Sequence, residues 1–158
     1  MIEVKECSKA FGTVKAVNKA TLDVGVREVF GLVGSNGAGK STLLRMMAGI
    51  IRPDEGEIQI DGMPVYENEE AKKLFFYISD DSYFPANYTA MDLVLFYRNF
   101  YPQFRTRFFH ELMEQFHLEE NRRIATFSNG MKKQVLVIIG VCAATKYLFC
   151  DETFDGLD

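Results

Sequence analysis

Apolar and polar positions alternate in short bursts along the amino-terminal part of the chain. "IEVKEC" and "ATLDVG" each predict a short strand with one face exposed. "REVFGLVG" is more apolar and predicts a strand that runs into glycines. From Lys40 to Gly49, "KSTLLRMMAG" has helical apolar spacing, with Gly49 as its stop. "RPDEG" predicts a turn, "EIQIDG" another alternating strand, and "KKLFFYIS" a further strand.

The texture changes between about Pro85 and Leu118. "MDLVLFYRNFYPQFRTRFFHELMEQFHL" carries apolar residues at three- and four-residue spacing and predicts two helices broken near Pro102. The length of "NGMKKQVLVIIGVCAAT" predicts a third helix, and "KYLFC" a short buried strand. Strands alternating with helices predict an α/β fold with a mainly parallel sheet. An antiparallel β subdomain is expected at the amino end, and residues 86–128 read as a helical insertion.

Composition adds bounds. The 158 residues suit one ordinary domain, with 47% hydrophobic and 25% charged positions. A net charge of -4 argues against a general nucleic-acid binder. Cys7, Cys142 and Cys150 form no metal-ligand or redox spacing and read as reduced thiols of an intracellular protein. "MIEVKEC" lacks the apolar core of a signal peptide. The longest apolar run, Val135 to Ala144, is far shorter than a membrane span. The expectation is a cytosolic globular domain that meets a membrane only through a partner.

The clearest chemistry lies in "GSNGAGKST", Gly34 to Thr42, which fits G-x-x-x-x-G-K-[ST] between an expected strand and an expected helix. Gly34, Gly37 and Gly39 allow a tight curl, so that successive N–H groups, including those of Ser35, Asn36 and Ala38, face phosphate oxygens. The helix beginning near Lys40 adds its positive end. Lys40 then brings a cation to the β- and γ-phosphates, and Ser41 offers a hydroxyl to Mg²⁺. These residues predict a P-loop NTPase that binds a nucleoside triphosphate. A glycine-rich turn before a helix is the bland alternative.

A second constellation lies near the carboxyl end, in "YLFCDETFDGLD". Tyr147 to Cys150 form the buried strand, and Asp151 emerges at its carboxyl end, where open α/β sheets hold ligands. Asp151 is expected to bind the magnesium through water. Glu152 is the next residue and points elsewhere, so it can orient an attacking water as general base. Alone, the pair could be a solvated acidic turn.

The phosphate loop, "FSNGMKKQ" about twenty residues before "YLFCDE", and "FDGLD" just after it together resemble the ATP-binding subunit of an ABC transporter. The resemblance covers the whole chain, and the middle motif separates it from kinases and GTPases. It implies a cassette with residues 1–85 and 129–158 as nucleotide-binding core and 86–128 as helical subdomain. It implies two cassettes, alike or different, pairing head to tail, with ATP binding closing the dimer and hydrolysis reopening it to drive a transmembrane permease. The location implied is cytoplasmic, at the inner face of the membrane. Ser128 and Asn129 can cap the following helix, and Ser128 and Gly130 would contact the ATP held by the partner. Phe11 falls where the family stacks a ring on adenine, a core aromatic being the other reading.

The chain departs from the family pattern in several places. Asn129 and Met131 replace the usual Gly and Gln of the signature, and Asn is the best non-glycine choice where a positive φ is needed. Asp80 and Asp81 stand where the family places a Gln that touches magnesium and water, with the register between them open. Asp80 is the candidate metal ligand, and surface acids in a turn are the alternative. Thr153 replaces a proline, with minor effect expected. The variant signature and the Asp pair lean towards an exporter. His110 and His117 precede Ser128, so neither can serve as the switch histidine expected downstream. A fragment of a longer domain is therefore the simplest account of the ending. The competing functions are a soluble ATPase of the same superfamily and a non-hydrolysing ATP-binding regulator.

Overall fold

The structure, a computed structural model, describes residues 1–80 and 83–153. The chain divides into two compact units, Met1–Phe75 and Phe76–Asp158.

In the first unit, β1 (Ile2–Phe11) and β2 (Val14–Val24) form an antiparallel hairpin closed by Phe11 opposite Val14. β3 (Glu55–Ile60) joins the other edge of β1, and the short β4 (Met63–Pro64) follows, giving the order β2-β1-β3-β4. Ile2 and Val4 are buried opposite Ile60 and Ile58, while Glu3 and Lys5 are not, as period-two alternation requires. The alternation breaks at Cys7 and Ser8, which are both buried. Glu6 there has φ 49°, and the register slips at the same point, as at a β-bulge. α1 (Lys40–Met47) buries Leu43, Met46 and Met47, one stripe at helical spacing. A single-turn helix, α2 (Glu69–Lys72), is capped by the Asn68 side chain, which accepts from the Glu70 and Ala71 amides. The sequence pattern did not reveal it, and it delays the next strand, β5 (Phe75–Ile78), by three residues from the expected start at Lys72.

In the second unit, β5 pairs with β6 (Tyr147–Cys150) in a two-stranded parallel sheet. α3 (Ala90–Arg98), α4 (Thr106–Gln115) and α5 (Asn129–Cys142) surround one core in which Phe109, Met113, Ile124, Val135 and Ile139 are fully enclosed. α3 and α4 are the two helices expected on either side of Pro102. At Gly140 an added Cβ would lie 2.8 Å from the Leu148 side chain and 3.2 Å from that of Phe76, so a larger residue there would require these side chains to shift. Among the described residues, no helix is long and apolar enough to cross a membrane.

One expected element is missing. "REVFGLVG" forms no strand, and Val29 and Val33 are almost completely exposed. A strand exists only through its ladder, and no described strand pairs with this segment. The phosphate loop is therefore preceded by irregular chain rather than by the expected strand.

Candidate functional site

The first unit carries the phosphate loop. Ala38 donates its amide to the Ser35 carbonyl at 3.1 Å, closing a turn around Asn36 and Gly37. Gly37 and Gly39 have φ of 81° and 88°, a region L side chains avoid, whereas Gly34 has no such conformation. Gly39 is needed for space as well, because a Cβ there would lie 2.1 Å from the Ala16 carbonyl oxygen on β2. Gly39 is the N-cap of α1 and has no capping side chain. The first amides of α1, at Lys40, Ser41 and Thr42, thus lie at a helix start, where N–H groups lack intrahelical acceptors. The Lys40 ammonium folds back over the loop and donates to the Gly34 and Ser35 carbonyls at 2.9 and 3.0 Å. A flexible cation, open amides and an exposed loop are the donors a triphosphate requires. At the hairpin tip, Phe11 is half exposed with the Lys9 ammonium 5.8 Å from its ring centre.

The second unit carries the acids and the signature. Asp151 follows β6 and is 1% exposed. Its amide donates to the Ile78 carbonyl at 2.9 Å, and its carboxylate accepts from the Tyr77 hydroxyl at 3.1 Å. Glu152 is exposed, with φ 48°, and its carbonyl accepts from Lys133 Nζ at 2.9 Å. The two acids thus face different surroundings, one held and one open. Thr153 is buried and donates to the Asp151 carbonyl at 3.3 Å, so it helps anchor the turn. The neighbouring Cys150 thiol is pushed up by burial, an effect the Thr153 hydrogen bond partly offsets.

Ser128 is the N-cap of α5 and accepts from the Met131 amide at 3.1 Å. Asn129 is the first helical residue, with no positive φ, and Gly130 is the second. The positive-φ rationale for Asn129 therefore fails, because the first turn of a helix demands ordinary helical angles. Asp80 lies just past β5 with its carboxylate 3.7 Å from Lys133 Nζ. Asp81 and "FDGLD", Phe154 to Asp158, lie outside the described residues. Neither Tyr77 nor Lys133 was legible as a site residue, since their partners lie 74 and 19 positions away.

Ser41 in the first unit, and Asp80 and Asp151 in the second, are each oxygen donors, the kind a hard cation such as Mg²⁺ takes. Among the described residues no group of three or more His, Cys, Asp or Glu is gathered. Mg²⁺ on a nucleotide takes one or two carboxylates besides waters and phosphate oxygens.

The ABC transporter family matches residues 17–155. The ABC transporter ATP-binding protein YtrB of Bacillus subtilis (strain 168) is 33% identical over 158 residues, covering all of this chain and 54% of its own length. The spermidine/putrescine import ATP-binding protein PotA of Nitrosospira multiformis is 31% identical over 172 residues, covering all of this chain and 45% of its own. A solved structure described as the ATP binding subunit of an ABC transporter superposes with a TM-score of 0.90 at 28% identity, over 99% of this chain and 68% of that one. The chain spans about half the length of the curated relatives it matches. A phosphate loop, a capped signature helix and a strand-end acid pair, in that order, place this chain in the ABC transporter ATP-binding family with the P-loop NTPase fold.

Proposed function

We propose that this chain binds Mg-ATP and, paired with a second ATP-binding subunit, hydrolyses it to drive transport through a membrane permease. The observation that carries the reading is the loop itself. Lys40 is parked on two loop carbonyls at the start of a helix without a side-chain cap, ready to exchange them for phosphate oxygens.

In this reading Gly34 to Thr42 hold the triphosphate and Phe11 stacks on the adenine. Ser41, Asp151 and Asp80 are the residues that would hold magnesium, which offsets charge on the phosphates when bound. Glu152 accepts a proton from the attacking water while Lys40 stabilises charge developing on the γ-phosphoryl group. Ser128 and Gly130 present a helix start to the nucleotide of the paired subunit. The nucleotide-binding core is 1–85 with 129–158. The helical part, 86–128, receives the permease, and Leu95, Phe96 and Phe100 give it an exposed apolar surface. The protein would then work at the cytoplasmic face of the membrane. Export is the direction proposed, on the variant signature at Asn129 and the acid at Asp80, although an importer is among the matched relatives.

The test is Glu152→Gln in the full native polypeptide. ATP binding should persist while turnover falls on the order of 100-fold or more, the scale of lost general base catalysis. Turnover at the parental rate would remove Glu152 from the chemistry and the hydrolytic mechanism with it.

A further inference from the structure

We infer that Lys133 is a positioning residue that orients Glu152 and ties it to the chain around Asp80; this rests on the reading of Glu152 as the general base. The observation is one cation whose partners include two groups of this site. Lys133 Nζ donates to the Glu152 carbonyl at 2.9 Å and lies 3.7 Å from the Asp80 carboxylate. Its side chain is only 22% exposed, so most of its length is packed against the protein.

Its place on the helix explains its reach. α5 begins at Asn129, and Lys133 lies four residues further on, so it projects from the same face as the helix start. There it borders a cavity of 470 Å³ that is also lined by Asp80, Phe84, Gly130 and Thr153. The signature helix is therefore linked through one side chain to the end of β5 and to the turn after β6.

Glu152 is the residue that needs such a hold. It adopts φ 48°, which side chains other than Gly, Asn and Asp rarely accept. Its neighbours Asp151 and Thr153 are buried at 1% exposure each, but its own side chain faces outward. With the flanking residues fixed, the carbonyl bond to Lys133 sets the peptide plane after Glu152, and with it the direction in which the side chain leaves the backbone. A displacement of α5 is transmitted to the base through the same bond. A base acting on water tolerates little misplacement, since about 1 Å can cost on the order of 100-fold in rate.

The experiment measures ATP turnover and equilibrium ATP binding in the full native polypeptide for Lys133→Met, Lys133→Arg, Glu152→Gln and the double variant Lys133→Met with Glu152→Gln. Lys133→Met should lower kcat by about 10-fold or more, within the range that misplacement allows, and leave the Kd for ATP within about twofold. Lys133→Arg, which keeps a donor and a charge, should recover most of the lost rate. On the Glu152→Gln background the Met substitution should cost less than about twofold more, because a missing base cannot be misaimed. Equal losses on both backgrounds, or a Kd that weakens as much as kcat falls, would overturn the inference. If Lys133→Met does not fold, Lys133→Gln carries the same expectations. A Glu152→Gln protein with parental turnover sinks the proposed function itself. One that loses turnover while Lys133→Met keeps it sinks only the role of Lys133.

Discussion

Asp151 and Glu152 are adjacent in sequence and opposite in environment. Asp151 is buried and spends its carboxylate on Tyr77, while Glu152 stays open. A buried carboxylate needs such partners, because burying charge without hydrogen bonds is costly. Tyr77→Phe removes one donor and little volume. It should destabilise the protein by about 1–3 kcal/mol, the range for leaving a buried polar group short of a partner, measured by urea denaturation. A change within error would mean that water replaces the hydroxyl and that Tyr77 does not hold the acid. The alternation of neighbours in and out was readable from the strand before them. The tyrosine was not, since it stands on another strand 74 positions earlier.

At the scale of elements, α3 shows how local chemistry sets a boundary. Thr89 accepts from the Asp92 amide at 3.1 Å, and Asp92 accepts from the Thr89 amide at 2.9 Å, a reciprocal capping box. The Thr89 amide, and then its hydroxyl, hold the Asp92 carboxyl below the usual carboxylate range. A carboxylate with a lowered folded-state pKa stabilises the native form above its ordinary value of about 4 and loses that contribution as pH falls through the lowered value. Amide exchange in α3 should therefore quicken on acidification through that window. Thr89→Ala should cost about 1 kcal/mol at neutral pH, and Asp92→Asn, which removes the titrating carboxyl, should flatten the dependence. An unchanged acid profile in Asp92→Asn would assign the effect to other carboxylates. The segment 27–34 is the opposite case, since its apolar pattern is strand-like but no described strand completes a ladder with it.

At the scale of the whole molecule, stability in the second unit rests on a core drawn from α3, α4, α5 and β5. Phe109 is fully enclosed in it, with Phe104 ring to ring at 6.5 Å. Phe109→Ala should destabilise by about 3–5 kcal/mol, the cost of emptying a large aromatic site. Urea denaturation followed by tyrosine fluorescence measures it, and a loss under about 1 kcal/mol would show that the site collapses to fill the gap. The three cysteines add no cross-link, and burial pushes the Cys142 thiol up to about 11.

What the sequence determined by itself was whatever depends on near neighbours. The phosphate loop, the helices α1 and α5, the cap at Ser128 and the strand leading to Asp151 are set by spacing, turn residues and apolar period over a few positions. Tertiary structure decided what depends on distant partners. It left 27–34 without a ladder, buried Asp151 against Tyr77, and brought Lys133 to both Glu152 and Asp80. The physical reason is the reach of each interaction: a helix or a turn closes its hydrogen bonds within about four residues, whereas a ladder or a buried ion contact forms only once the chain has folded back on itself.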